Sequence, residues 1–167
     1  MSSLDGREFR RIMGHYPTGV SVVTATSDDR AIGMVVGSFT SVSLDPPLVA
    51  FLPDRRSTTW PLIEACGQFC VNVLANHQQH VCRALSRPSD NRFDGVGHRL
   101  SATGLPIIDG VVAWIDCALH AVHEAGDHFI VIGLVRSLAV ERAEAPLVFL
   151  RGSYGSVSPC DPVQAAA

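Results

Sequence analysis

The stretch from residue 32 to residue 52 constrains the fold more than any other part of the chain. It contains two short apolar runs, residues 34–36 and 48–52, that are bounded by glycine and proline. Runs of this length and setting favour buried β-strands over helices. The second run follows Asp45-Pro46-Pro47, which is rigid because each proline fixes its own φ and restricts the residue before it. The stretch therefore predicts two strands with a defined connection.

Between these runs lies a polar segment that has two interpretations. Four hydroxyl side chains follow Gly37 within a few residues, on Ser38, Thr40, Ser41 and Ser43. This density of small hydrogen-bonding groups is unusual for a core strand and would suit a polar, planar or anionic ligand. An edge strand with serine and threonine facing water would show the same spacing. The spacing alone leaves both interpretations open.

The first third of the chain predicts a helix followed by a hairpin. Phe9, Ile12 and Met13 fall on one face of a helix over residues 5–13, with Asp5 near its start and Gly14 at its end. Residues 20–26 alternate as a strand, and residues 27–30 form a turn into the strand that begins near residue 31.

The remaining elements predict a mainly β domain with short helices. Helices are expected over residues 59–66 and 76–86, a polar loop over 87–97, and strands over 69–74, 111–125, 128–140 and 147–150. Many strands with few helices favour a closed or nearly closed barrel. We expect one domain over residues 1–160 and a frayed tail over residues 161–167, which lack core-building side chains.

Composition excludes several classes of function. The chain of 167 residues carries a net charge of −3, and all 13 of its basic residues are scattered arginines, so no phosphate-binding stripe for nucleic acid is present. It has no apolar run of membrane-spanning length and no secretory leader, so no membrane association and a cytoplasmic location are expected.

The cysteines and histidines do not predict a metal centre. Five cysteines are present without a Cys-x-x-Cys pair, and Cys70 and Cys117 lie in apolar runs typical of small buried side chains. His77, His80 and Cys82 come nearest to a ligand set, but solvated side chains on a polar helix are the better interpretation. No serine or cysteine has a persuasive catalytic partner in the sequence.

A possible anion site precedes the helix predicted over residues 59–66. Ser57 and Thr58 stand at the helix entry beside Arg55 and Arg56, and hydroxyls with arginines at a helix start can bind phosphate. Alternatively, Ser57 or Thr58 caps the helix and both arginines are solvated. The residues alone leave both interpretations open.

Seven segments occur in an order that resembles one known family. They are Pro17-Thr18-Gly19-Val20, Gly37-Ser38-Phe39-Thr40-Ser41-Val42-Ser43-Leu44-Asp45-Pro46-Pro47-Leu48-Val49, Ser57-Thr58-Thr59-Trp60, Phe69-Cys70-Val71-Asn72-Val73-Leu74, Phe93-Asp94-Gly95-Val96, Gly126-Asp127-His128 and Arg151-Gly152-Ser153-Tyr154. Together they resemble the short-chain flavin reductases, the reductase components of two-component flavin monooxygenases. The resemblance spans nearly the whole chain.

This resemblance implies a fold and an activity. The fold would be the flavin reductase-like, FMN-binding split β-barrel, typically a homodimer with the flavin near the subunit interface. The activity would be that of an NAD(P)H:flavin oxidoreductase that transfers hydride to FMN or FAD, with NADH favoured over NADPH, and supplies a partner monooxygenase. The alternative is an electron carrier that holds the flavin as a fixed prosthetic group, which would have no use for a nicotinamide site.

The resemblance also implies the site residues. Gly37, Ser38, Phe39, Thr40 and Ser43 would hold the isoalloxazine edge and ribityl chain, Ser57 and Thr58 the phosphate, and Thr18 and Phe93 would lie near the ring. The nicotinamide side would be formed by His128, Arg151, Gly152, Ser153 and Tyr154. No catalytic side chain is expected, because hydride passes between two bound molecules and positioning is the main task.

Overall fold

The computed structural model describes residues 5–87 and 92–158. Within those ranges it has three short helices, α1 (Gly6–Met13), α2 (Trp60–Cys66) and α3 (Gln79–Leu85). The strands in chain order are β1 (Thr18–Gly19), β2 (Ser21–Ser27), β3 (Arg30–Val36), β4 (Thr40–Leu44), β5 (Pro47–Phe51), β6 (Gln68–Val73), β7 (His98–Leu100), β8 (Pro106–Ile108), β9 (Ala113–Ala125), β10 (His128–Val140), β11 (Leu147–Leu150) and β12 (Ser153–Ser156). A mainly β fold with short helices is thus confirmed.

Seven strands form one antiparallel sheet in the order β3-β2-β6-β9-β10-β5-β4. β3 and β4 are its two edges, although they are neighbours in sequence. The sheet is therefore open between these edges, which agrees with the expected nearly closed barrel of the split form. An open edge leaves backbone groups available to other partners.

Two small sheets extend this barrel. β1, β11 and β12 form a three-stranded sheet in which Thr18 stands opposite Phe149. β7 and β8 form a two-stranded sheet. Neither β1, β12 nor the β7–β8 pair was predicted from the sequence, because strands of two to four residues carry too little periodicity to detect.

Aromatic side chains fill the barrel interior. Phe51 packs edge-on against Trp60 at 5.7 Å and against Phe69 at 5.2 Å between ring centroids. All three are at most 1% exposed, and the burial of each stabilises the fold by about 3 kcal/mol. Gly133 permits this packing, because a Cβ atom there would stand 2.5 Å from Phe69 Cζ.

A buried polar network joins β8 to the barrel. Asn72 Nδ2 donates to Thr24 Oγ1 at 3.0 Å, and Thr24 Oγ1 donates to the Pro106 carbonyl at 2.6 Å. The Ile108 N–H donates to Asn72 Oδ1 at 2.8 Å. Asn72 and Thr24 are fully buried, and these bonds satisfy polar groups that would otherwise destabilise the core.

A second network forms around the fully buried carboxylate of Asp116. Ser101 Oγ donates to it at 3.0 Å, Thr103 Oγ1 donates to the same oxygen, and Arg136 Nε donates to the other oxygen at 3.2 Å. This set compensates the desolvation of a buried charge and holds the loop before β8 against β9.

The predicted elements match the observed ones with shifts at their ends. The turn over residues 27–30 is confirmed, with Ser27 opposite Arg30 and positive φ at Asp28 and Asp29. The helix predicted over residues 76–86 starts three residues late, at Gln79, because Gln78 Oε1 accepts from the Ala75 N–H at 2.9 Å and holds a turn there. Cys160 and the predicted tail over 161–167 lie outside the described residues.

The apolar face of α1 remains uncovered. Asp5 caps this helix by accepting from the Arg7 N–H at 3.0 Å, and the helix ends at Gly14 as predicted. Phe9, Ile12 and Met13 share one face, yet each is about half exposed.

Candidate functional site

A groove of about 420 Å³ opens between the end of β3 and the chain that leaves β5. We call it the central groove, and it is lined by Thr18, Met34, Val35, Val36, Gly37, Ser38, Leu52, Pro53, Asp54, Ser57 and His128. Its volume falls in the usual range for a small-molecule site, about 300–1,000 Å³. It brings together five residues predicted from the resemblance, namely Thr18, Gly37, Ser38, Ser57 and His128.

Backbone pairing beyond the ends of two strands forms one wall of this groove. The chain leaving β5 continues beside the β9–β10 turn, with Asp54 bridged to His128. The Phe129 N–H donates to the Pro53 carbonyl at 2.9 Å, and the Arg55 N–H donates to the Asp127 carbonyl at 2.9 Å. His128 and the segment that leads to Ser57 are therefore held in a fixed relation.

The opposite wall is built around Gly37, which follows β3 and faces β1. A Cβ atom on residue 37 would stand 2.9 Å from Thr18 Oγ1. Glycine therefore lets the backbone of the loop approach the threonine closely while it stays exposed to the groove. A planar ligand can contact this backbone without a side chain in the way.

The polar segment over residues 37–43 combines both interpretations that the sequence left open. Ser38 lines the central groove, and its Oγ accepts from the Leu52 N–H at 2.9 Å. Thr40 and Ser43 lie on β4, which is an edge strand of the main sheet. Phe39 packs against the hydrophobic core. The hydroxyl-rich run is thus part groove wall and part edge strand.

One carboxylate, that of Asp54, lines the groove, and a second, that of Asp127, lies beside His128. A bidentate contact with Arg56, at 2.8 Å to Nη2 and 3.2 Å to Nε, holds the pKa of Asp54 well below its usual range. The hydrogen bond to His128 lowers the pKa of Asp127. His128 Nδ1 lies 2.7 Å from Asp127 Oδ1, which leaves Nε2 as the ring nitrogen for a ligand.

The helix entry at Ser57 has the bonding of a cap. Ser57 Oγ accepts from the Trp60 N–H at 3.1 Å, although the residue that directly precedes α2 is Thr59. Arg55 pairs with Glu124 at 3.4 Å, and Arg56 pairs with Asp54. Ser57 keeps its hydroxyl hydrogen for a ligand, so capping and ligand binding are compatible at this residue.

A smaller cleft of about 180 Å³ shares Thr18 and Gly37 with the central groove. We call it the apolar cleft, and its other residues are Val20, Val35, Val36, Phe149 and Tyr154. The rings of Phe149 and Tyr154 meet edge to face at 5.4 Å. Burial raises the pKa of Tyr154, so its hydroxyl is a neutral donor at physiological pH. Tyr154 therefore adjoins the groove through the apolar cleft.

Five predicted residues lie outside the central groove, either in a separate cleft or at the β11–β12 turn. Thr58 and Phe93 line a separate cleft of about 220 Å³, which we call the middle cleft, together with Ala31, Ile32, Gly33, Thr59, Leu62 and Arg92. Arg151 and Gly152 form the turn between β11 and β12, with φ of 51° and 79°. Ser153 begins β12 and is exposed. The last three residues line none of these cavities.

Sequence reasoning missed Asp54 as a wall of the groove. Its place beside His128 follows from a bridge between residues far apart in the chain, which no local pattern announces. A usable signal was the Asp54-Arg55-Arg56 cluster, because adjacent opposite charges before a helix often order a loop.

Comparison with known proteins identifies the family. The flavin reductase like domain matches residues 13–158. The chain belongs to this family. It is 59% identical over 155 residues to a flavin reductase of Pseudomonas putida, covering 92% of this chain and 91% of that protein. The resemblance seen in the sequence is thereby confirmed.

Solved structures share the whole fold of this flavin reductase family member. Nitrilotriacetate monooxygenase component B from Mycobacterium thermoresistibile has a TM-score of 0.92 and 44% identity, over 98% of this chain and 92% of that chain. An NADH:FAD oxidoreductase from Streptomyces globisporus, solved with NAD and FAD fragments, has a TM-score of 0.88 and 35% identity, over 95% of this chain and 96% of that chain.

The donor set of the central groove fits a flavin. Thr18, Ser38 and Ser57 offer neutral hydroxyls, Gly37 offers open backbone, and residues 34–36 offer apolar contact. A flavin ring is planar, with a polar edge and an apolar edge. Among residues 5–87 and 92–158, no three His, Cys, Asp or Glu side chains are close enough to hold a metal ion. In the same ranges no helix has the length and apolar character needed to span a membrane.

Proposed function

We propose that this protein transfers hydride from NADH to FMN or FAD and supplies the reduced flavin to a partner monooxygenase. The observation that carries the proposal is the shared groove. Ser57 and Gly37, from the flavin side of the resemblance, and His128, from its nicotinamide side, line one cavity. Family membership supports the same activity, as does the kinship with a monooxygenase component and with an NADH:FAD oxidoreductase.

The residues of the groove would act by binding and orientation. Gly37 presents backbone to the ring, and Ser57 donates its hydroxyl to the phosphate. His128, held by Asp127, directs Nε2 toward the nicotinamide nucleotide. Bound flavin supplies the hydride acceptor, so no side-chain base is required. Stacking the two rings at about 3–3.5 Å is the main contribution of the protein.

The electron carrier is the alternative function. A carrier needs the flavin wall of the groove but gains nothing from an oriented histidine at its mouth. His128 is only half buried, and its ring is fixed by Asp127 rather than by packing in the core. This arrangement favours the reductase over the carrier.

We also propose that the protein is a cytoplasmic homodimer. The uncovered face of α1, formed by Phe9, Ile12 and Met13, supports association because an amphipathic helix gains most of its stability by burying that face. Sedimentation of the purified protein tests this proposal, and a monomer at micromolar concentration would contradict it.

The activity is tested by mixing the purified protein with NADH and riboflavin, FMN or FAD in air, while absorbance at the nicotinamide band is followed. NADH oxidation should require added flavin and should proceed without any oxygenase. A stoichiometrically bound flavin that dithionite reduces but NADH does not would establish the carrier instead. A heat-treated sample measures the reaction of NADH with free flavin.

A further inference from the structure

A line of cavities continues from the central groove along the outer side of β3. The central groove contacts residues 34–36 of this strand, and the middle cleft contacts residues 31–33. A third cavity of about 770 Å³ lies against residues 30–32, and we call it the turn cleft. Its other lining residues are Ser27, Asp28, Asp29, Leu62, Phe93, Asp94 and His98.

The three cavities lie against successive residues of β3, along a line about as long as a dinucleotide. β3 has seven residues, which span about 20 Å at the usual rise of a strand. It is an edge strand, with β2 as its one partner in the main sheet. The middle and turn clefts share Ala31, Ile32, Leu62 and Phe93. Ser57 lines the central groove, and Thr58, the next residue in the chain, lines the middle cleft.

The chemistry of the lining changes along the path. The middle cleft has the hydroxyls of Thr58 and Thr59 and the guanidinium of Arg92, whose Nη1 donates to Thr59 Oγ1 at 3.3 Å. These groups suit phosphate oxygens. The turn cleft has three carboxylates, on Asp28, Asp29 and Asp94, together with the guanidinium of Arg30 and the imidazole of His98. Carboxylates repel phosphate but accept hydrogen bonds from the hydroxyls of a ribose.

An aromatic side chain stands where the two clefts meet. Phe93 lines both, and it packs so closely on the strand that a Cβ atom on Gly33 would stand 2.8 Å from its Cε2. The ring also meets His98 edge to face at 5.2 Å. A closely packed, partly exposed aromatic ring offers a stacking surface for a nucleobase.

We propose that the turn cleft binds the adenosine half of FAD, with the adenine against Phe93 and the ribose hydroxyls on Asp28 and Asp29. The diphosphate then extends from Ser57 into the middle cleft, and the isoalloxazine lies in the central groove. This inference rests on the proposed function. It assigns Phe93 to the adenosine rather than to the isoalloxazine, and it makes FAD the preferred flavin over FMN.

The test compares the binding of FAD and FMN to wild type and to Asp28→Asn/Asp29→Asn, by quenching of flavin fluorescence without NADH. Both positions have positive φ, which asparagine tolerates, so the turn is kept. Wild type should bind FAD about tenfold more tightly than FMN, and the variant should lose that preference while FMN affinity is unchanged. Asp5→Asn/Glu144→Gln removes two carboxylates elsewhere and measures the effect of net charge alone.

The outcomes separate this inference from the proposed function. Equal binding of FAD and FMN by wild type, with no response of FAD to the variant, overturns the adenosine site but leaves flavin reduction intact. A variant that raises the Michaelis constant for NADH and spares FAD assigns the cleft to the nicotinamide nucleotide and overturns the inference. Absence of NADH oxidation with every flavin overturns the proposed function itself.

Discussion

Thr18 Oγ1 lies 2.9 Å from the point at which a Cβ atom on Gly37 would stand. β1 therefore passes close to the loop that leaves β3, at the wall of the central groove that is built around Gly37. We expect Gly37→Ala to force the threonine aside and narrow the groove, weakening flavin binding about tenfold, or about 1.4 kcal/mol. Gly37 has no positive φ, so the effect is steric rather than conformational. Fluorescence titration with FMN measures it.

Gly19→Ala is the matched control for this variant. Gly19 lies in the neighbouring strand, and a Cβ atom there would meet nothing within 4 Å. Its flavin affinity should equal that of wild type. Adding Thr18→Ala to Gly37→Ala should restore part of the lost affinity, because the clashing oxygen is removed. If Gly37→Ala alone bound FMN as tightly as wild type, the flavin would not contact this wall of the groove.

The sequence predicted elements whose signals are local. The β9–β10 hairpin was predicted nearly to its ends, because two long apolar runs flank Gly126-Asp127. β7 and β8 were missed because such short strands are defined by their partners rather than by their own residues. The uncovered face of α1 was equally invisible, because periodicity shows that a face is apolar and not what covers it.

In the candidate site, too, residues with local sequence signals were predicted, and relationships that depend on distant partners were not. Gly37, Ser38 and Ser57 were found because they belong to compact motifs of the family. They lie beside His128 because His128 is bridged to Asp54, a residue more than seventy positions away in the sequence. The Arg151-Gly152 turn matches the family in sequence, yet only the folded chain shows that it lines none of these cavities.

Ser57 should show two separable roles. Ser57→Ala removes the acceptor for the Trp60 N–H and should cost about 1 kcal/mol of unfolding free energy, while weakening FMN more than riboflavin. Ser57→Asp keeps a capping acceptor but sets a negative charge against the phosphate. It should therefore retain stability, bind riboflavin normally and bind FMN poorly. Isothermal titration measures flavin affinity, and urea unfolding measures stability. If Ser57→Asp bound FMN and riboflavin with equal affinity, Ser57 would act only as a helix cap.

Buried thiols should weaken the fold at alkaline pH. Burial raises the pKa of Cys70 and of Cys117 to about 12, from an ordinary value of 9.0. Above pH 9 the unfolded chain loses these protons while the folded chain keeps them, so unfolding free energy falls with pH between about 9 and 12. The slope is about 1.4 kcal/mol per pH unit for each thiol.

Urea unfolding of Cys70→Ala/Cys117→Ala between pH 9 and pH 11 tests this slope. The double variant is expected to lose stability at neutral pH through its cavities, but its alkaline slope should be much shallower than that of wild type. Cys66→Ala is the control, because Cys66 is partly exposed and its thiol pKa is raised less. An unchanged slope in the double variant would show that other groups cause the alkaline loss.

His128 provides the clearest test of the nicotinamide side. Its Nδ1 is held by Asp127 at 2.7 Å, and its side chain stands at the mouth of the central groove rather than in the core. His128→Ala should raise the Michaelis constant for NADH, because one hydrogen bond to a polar or charged group is lost, and lower catalytic efficiency about five- to a hundredfold. Flavin affinity should stay nearly unchanged, and His128→Asn, which keeps a donor, should recover part of the loss.

His123→Ala is the control, because His123 is an exposed histidine on β9, and this variant should leave the kinetics unaltered. Parallel loss of flavin affinity and melting temperature in His128→Ala would instead make this histidine a structural clamp on the 53–55 segment, and the nicotinamide assignment would be withdrawn.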